Sequence, residues 1–177
     1  MPLPDLGPIV QIGYLVTNLD AGVSHWMKTM GVGPWTIYRN VTMTGQCRGV
    51  PTEVLFDVAR SYQGEIQIEL IEPRSRTPSP YQDKDGRTLV GVHHIAWLTE
   101  DLAGVVARAK ARGLTPAFEA HNAAVNVAYL EAKGQPGVLF EFIQGAGQRD
   151  MVAAGIKTAR SWDGSNPITT IDFAKLG

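Results

Sequence analysis

The stretch VQIGYLVTNLDAGV at residues 10–23 returns in altered form as VHHIAWLTEDLAGV at residues 92–105. Alignment pairs Ile12 with Ile95, Gly13 with Ala96, Tyr14 with Trp97, Leu15 with Leu98 and Leu19 with Leu102, and sets Gln11 opposite His94. A repeated sequence repeats its local structure, so the chain must fold as two related halves.

Each copy reads as a strand feeding a helix. Ile9 to Val16 is an apolar run with β-branched residues, after which Asn18 or Asp20 caps a helix carrying Val23, Trp26 or Met27, and Met30 at helical spacing. Gly31 ends it. In the second copy the strand covers Gly91 to Thr99, Thr99 or Asp101 is the cap, and Leu102, Val105, Val106 and Ala109 form the buried stripe before Gly113. Strand-like pieces follow each helix: 35–41, 52–59 and 65–72 in the first half, 115–118, 125–132 and 138–143 in the second. The closing strands match as well, with IQIELIEP at 66–73 against VLFEFIQ at 138–144, which pairs Glu69 with Glu141. Glu69 follows Gln11 by 58 positions and Glu141 follows His94 by 47, and the extra length is expected in loops at Thr44–Pro51 and Ser61–Gly64.

The expected organisation is therefore an α+β chain with a first βαβββ module at 8–73, a connector at 74–90, a second βαβββ module at 91–144 and a C-terminal tail at 145–177. The connector is rich in Pro and charge. The tail carries a short helix over Met151–Ala159 and a turn-rich stretch from Ser161 to Pro167.

Bulk properties narrow the function. The 177 residues are 44% hydrophobic, enough for a core without staples. A net charge of -1 provides no broad basic field for nucleic acid or an acidic membrane, so neither partner is expected. The single Cys47 excludes an internal disulfide framework, and the opening MPLPDLGP has neither the basic start nor the apolar run of a secretory signal. A cytoplasmic setting is expected.

Alternation along the strands gives the candidate chemistry. Gln11 shares a face with Gly13 and Leu15, His94 with Ala96 and Leu98, and Glu69 with Gln67 and Glu65. Glu141 lies inside the apolar run VLFEFI, where an unpaired carboxylate is costly to bury without a cation, a hydrogen-bond network or a metal. Two equivalent half-sites bring together Gln11, Glu69, His94 and Glu141. One imidazole, two carboxylates and an amide oxygen form an N/O donor set suited to one divalent ion such as Zn, Co, Ni, Fe or Mn, with coordination positions left over for a substrate.

The doubled βαβββ unit, its openings QIGYLVTNLD and HIAWLTEDL and its closings IELIEP and LFEFI resemble the vicinal oxygen chelate superfamily, which includes glyoxalase I, methylmalonyl-CoA epimerase, extradiol dioxygenases and bleomycin-resistance proteins. The resemblance covers about residues 8 to 144, and GVHHIAW with the PSPY loop before it is most similar to the epimerase-like branch. It implies a cupped, barrel-like mixed sheet with helices outside, holding one metal at Gln11, Glu69, His94 and Glu141. Most epimerase-like members carry histidine at the place of Gln11, whereas some glyoxalase I proteins carry glutamine there and bind metal. The implied activity is an isomerase or epimerase, or a lyase, acting on a small 2-oxo, 2-hydroxy or acyl-thioester substrate through an enediolate-type intermediate, with Glu141 and Glu69 moving the proton. Such members pair modules within or between chains, so a homodimer is expected. The alternatives are a ligand-sequestering protein of the bleomycin-resistance type and a dioxygenase. The two-histidine pattern of the iron extradiol enzymes argues against the latter.

Other residues carry weaker readings. His93 should point away from His94, His25 and His121 read as surface positions, and Glu53 lies out of register with the middle-strand acid of some epimerases. Arg74, Arg76 and Arg87 of the connector are candidates to grip an anion, and Tyr14, Trp35 and Trp97 to line an apolar cavity. Cys47 has no partner base in the sequence.

Overall fold

The computed structural model describes residues 6–135 and 137–176. The initiating segment 1–5, on which the reading of the N-terminus partly rests, lies outside the described residues.

The order of elements is β1 (Gln11–Leu15), α1 (Leu19–Met30), β2 (Trp35–Cys47), β3 (Val50–Gln63) and β4 (Ile66–Pro73), then β5 (Gly91–Leu98), α2 (Leu102–Lys110), β6 (Leu114–His121), β7 (Asn126–Ala132) and β8 (Leu139–Gln144). Strand, helix and three strands thus occur twice. The sheet order β3-β4-β1-β5-β8-β7-β6-β2 closes through the β2–β3 hairpin into a cupped eight-stranded barrel of α+β class. Within each half the first strand lies parallel to the last, β1 beside β4 and β5 beside β8. The halves join where β1 and β5 run antiparallel.

The helices start and pack as their sequences dictate. Asn18 accepts the Ala21 N–H and Asp101 the Gly104 N–H, each satisfying an otherwise unpaired donor of a first turn. Gly31 ends α1 in the left-handed conformation, its N–H returning to the Met27 carbonyl. Helix α1 buries Leu19 and Val23 against Trp35, Ile37, Ile68 and Leu70, and α2 buries Val105, Val106 and Ala109 against Ala128, Leu130 and Phe142. Both helices cover the outside of the sheet. Met30, expected on the buried stripe, is exposed because α1 ends there.

The extra residues of the first half lie in strands, not in loops as expected. Arg48 and Gly49 both take positive φ, the geometry of a two-residue type I′ turn, so β2 and β3 run on as a 13- and 14-residue hairpin through Thr44–Pro51 and Ser61 to Gln63. Only β2 residues Thr44–Cys47 pair with β6; the edge of Trp35–Arg39 is taken instead by β9 (Ile168–Asp172), a strand not foreseen in the tail. The tail helix, α3, is longer than expected, spanning Gln148–Arg160. It bridges the halves: Arg149 donates to the Leu98 carbonyl at one end and Arg160 to Glu65 at the other. A 3-10 turn, Phe173–Lys175, follows β9 and stacks Phe173 on Tyr38. Among the described residues, no helix is long and apolar enough to cross a membrane.

Leu130 is fully buried between α2 and the outer face of the sheet. Changing Leu130→Ala should lower unfolding free energy by about 2–5 kcal/mol in urea titration, through lost transfer energy and the cavity left behind.

Candidate metal centre

The registers across β4, β1, β5 and β8 explain how four distant residues meet. Gly13 lies between Glu69 on one side and His94 on the other, while Ala96 lies between Gln11 and Glu141. Antiparallel contact between two copies of one strand creates an approximate two-fold axis, so each copy's polar residue stands opposite the other's small one. The small residues make the room. A Cβ on Gly13 would overlap the His94 imidazole, which lies directly over it. A glycine inside a strand marks such a close approach.

The four side chains converge on His94 Nε2. Gln11 Oε1 is 3.0 Å away, Glu141 Oε2 3.2 Å and Glu69 Oε2 3.3 Å. All four residues are buried, His94 completely. A neutral or protonated imidazole has at most one hydrogen at this nitrogen, too few for three oxygens. Glu141 Oε2 has no hydrogen-bond partner among the described residues; despite its short distance from His94, it lies outside the angular range of a hydrogen bond. An orphaned buried carboxylate oxygen beside an amide oxygen, a second carboxylate and an imidazole nitrogen is what a bound cation would satisfy. Ligand atoms of Glu69, His94 and Glu141 lie within 4.8 Å of one another, close enough to share one ion.

Neighbours fix how each group faces the centre. Gln11 Nε2 donates to Gln67 Oε1 at 2.6 Å, and Gln67 Nε2 donates to the Tyr62 hydroxyl, which leaves Gln11 Oε1 pointing inward. His93 was expected to face away from His94 and does not. A register shift in the β1–β5 ladder makes His93 the extra residue of a bulge, and bulges re-aim side chains. Its Nε2 donates to the Pro80 carbonyl at 2.8 Å, so its Nδ1 accepts from His94 Nδ1–H at 3.0 Å. Burial and the adjacent His94 push the His93 pKa down to about 3, keeping it a neutral acceptor. With a neutral imidazole this relay turns Nε2 toward the centre that the three oxygens surround, the arrangement by which outer partners orient a metal-binding histidine, and without an ion a proton on Nε2 is shared with Gln11 Oε1.

The two carboxylates differ. Arg60, cross-strand from Glu69 in the β3–β4 ladder, donates to Glu69 Oε1 at 2.8 Å. Burial opposes the charge on Glu69, but Arg60 and His94 outweigh it and hold the acid below its ordinary range. For Glu141, burial and repulsion from Glu69 push the pKa up, against the pull of His94. Burial alone would lower the His94 pKa; Glu141 and Glu69 together raise it. Tyr129, cross-strand from Glu141, is buried with its ring edge-on to His94.

Sequence reasoning missed Arg60, Tyr129 and the role of His93. Arg60 falls one residue past the expected end of its strand, and cross-strand register, which pairs it with Glu69, is not written in a single strand's pattern. Of the other candidates, Glu65 is exposed and outside the strand, Glu53 is exposed, and Arg74 and Arg87 pair with Asp57 and Asp85 away from the centre. His25 and His121 are exposed. Tyr14 packs on Trp26, Trp35 lies under α1 and Trp97 stacks on Phe142, so these aromatics serve the helix-facing core and not the cavity. Cys47 is buried, and burial raises its thiol pKa.

The family model of the Glyoxalase/Bleomycin resistance protein/Dioxygenase superfamily matches residues 10–129. The chain belongs to this vicinal oxygen chelate superfamily. No curated protein matches it. Solved structures of similar fold include hypothetical protein BH1468 from Bacillus halodurans C-125, at 24% identity over 80% of this chain and 96% of that one, with a TM-score of 0.51. Methylmalonyl-CoA epimerase from Mycobacterium tuberculosis, at 17% identity over 81% of this chain and 91% of that one, also has a TM-score of 0.51. Both share the superfamily fold.

Two outcomes follow for divalent ions. Replacing His93→Phe removes the acceptor for His94 Nδ1–H and should weaken zinc affinity roughly 10–100-fold by calorimetry. Because the His94 and Glu141 pKa values are both raised, protons compete for these groups at lower pH, so zinc affinity should rise between pH 5.5 and 8 with proton release on binding. A flat pH dependence would show that these side chains are not the ligands.

Proposed function

We propose that this chain is a metal-dependent isomerase of the epimerase or glyoxalase type, or a lyase, that removes the α-proton of a small 2-oxo, 2-hydroxy or acyl-thioester substrate. The observation that carries this reading is Glu141 Oε2, a buried carboxylate oxygen without a hydrogen-bond donor among the described residues, 3.2 Å from His94 Nε2, in a residue that lines the cavity.

Gln11, Glu69, His94 and Glu141 would hold one divalent ion, of Zn, Co, Ni, Fe or Mn type. Bound there, the ion supplies Lewis acidity to a substrate carbonyl and so acidifies the adjacent C–H. The remaining work falls to the side chains. Glu141, which unlike Glu69 has no guanidinium partner among the described residues, takes the α-proton and returns it, alternating between ligand and base. Glu69 stays anionic under the Arg60 guanidinium, which makes it a weak base and a firm anchor. Tyr129 and the apolar strands bound the place where the proton is exchanged.

The ion pair of Arg60 with Glu69, which Glu141 lacks, supports transfer by one base acting twice, the glyoxalase type of isomerisation, over two bases acting from opposite faces. A shared base returns the proton within the site, so partial retention of label is expected. A homodimer is consistent with the reading and is tested by sedimentation.

With metal-loaded protein and candidate 2-oxo acids in deuterium oxide, native protein should catalyse exchange at C3, the carbon next to the ketone. Glu141→Gln should slow it by about 10²–10⁴-fold. His94→Ala should lose both metal and exchange. Exchange undiminished in Glu141→Gln would remove Glu141 as the base, and ligand binding without any exchange would mark a sequestering protein.

A further inference from the structure

The cup has a cap that belongs to neither repeat. Beyond His121, β6 leaves β2, and the opening is ringed by Tyr38 and Val41 of β2, by the Asn122–Val125 turn, and by the tail. From the tail, Gln148, Met151 and Val152 of α3 and Phe173 of the 3-10 turn line the cavity. These pieces are fastened in place. Gly155 lies so close to the Tyr62 ring that a Cβ there would overlap it, and Trp162 packs equally closely on Gly33. Asn40 Nδ2 donates to Asp172 at 2.8 Å, and β9 pairs with β2 along its whole length.

The cavity, which stays partly open to solvent beside Met151 and Phe173, measures about 170 Å³. Its walls between the polar centre and the cap are aliphatic or aromatic: Val41, Met43, Phe56, Val127 and Ile143 lie among them. Arg60 is the one cationic residue lining it among the described residues, and its guanidinium is engaged by Glu69. The connector arginines, candidates for a phosphate, are outside this wall, with Arg74 on Asp57 and Arg87 on Asp85. An apolar cavity of about 150 Å³ accepts one benzene, so this one holds roughly six to ten non-hydrogen atoms. Two carboxylates against one guanidinium leave a divalent ion balanced by one further negative charge, not by several.

We propose that the capped cavity selects a compact 2-oxo or 2-hydroxy acid with a branched or cyclic apolar side chain, its oxygens at Glu69, His94 and Glu141 and its side chain under Met151 and Phe173, and that it rejects nucleotide-bearing thioesters. The placement of the oxygens rests on the proposed function; the apolar selection rests on the cap. Three more buried carbons should then add affinity that a polar or open site would not give.

The test is calorimetric titration of zinc-treated full-length protein with 4-methyl-2-oxopentanoate, pyruvate and propionyl-CoA, with zinc content measured alongside. The branched acid should bind at least tenfold tighter than pyruvate and tighter than propionyl-CoA. Phe173→Ala, on a half-exposed residue, should reduce that preference to within about threefold while zinc content stays unchanged, and Met151→Glu should weaken the branched acid at least tenfold. Propionyl-CoA binding as tightly as the branched acid, no gain over pyruvate, or a preference untouched by both variants would overturn the inference while leaving the metal reading intact. A cap-dependent preference in protein that takes up no zinc supports the inference and removes the proposed function instead.

Discussion

The antiparallel contact between β1 and β5 governs everything else in this molecule. Two copies of one strand lie side by side with reversed direction, so what one copy contributes to the cup is met by its counterpart across a shared axis. The parallel partners β4 and β8 flank them and bring Glu69 and Glu141 to the same level. Because side chains on a strand alternate with period two, a slip of one residue in this contact would turn Gln11 or His94 outward and put apolar residues in the cup. Gly13 and Ala96 are small for the same reason. They are the floor on which larger groups from neighbouring strands rest.

Such convergence has an energetic cost that the surroundings only partly offset. Burying two carboxylates and an imidazole is unfavourable unless each is paired and hydrogen-bonded. Glu69 has Arg60, Gln11 has Gln67, and His94 has His93, which in turn has the Pro80 carbonyl. Glu141 Oε2 has none among the described residues. The polar groups are thus held in place from outside the centre, and toward it one oxygen, Glu141 Oε2, is left without a donor among the described residues. A purely structural network would be expected to close on itself. Here the unsatisfied oxygen belongs to a residue that lines a cavity whose other end is largely apolar.

Much of this was legible because the repeat supplied a second reading of each position. Gln11 alone is an ordinary strand residue and His94 an ordinary core histidine, but their equivalence, with that of Glu69 and Glu141, placed all four on one surface. Helix caps at Asn18 and Asp101 and the strand-helix alternation were equally plain, since they depend on local chemistry. What escaped were features set by pairing between strands. Arg60 meets Glu69 and Tyr129 meets Glu141 through hairpin register, and His93 turns inward through a bulge that no alternation rule foresees. The tail also escaped. Strand β9 finds its place on β2 only because β6 vacates that edge, a fact of the assembled sheet that leaves little trace in ITTID itself.

The central claim is that Gln11, Glu69, His94 and Glu141 surround one divalent cation. Crystals grown with cobalt and measured across its absorption edge test it directly. The account predicts a single anomalous peak about 2.0–2.2 Å from His94 Nε2 and from oxygens of the other three residues. A peak at another place, or none at full cobalt occupancy of the medium, would contradict it.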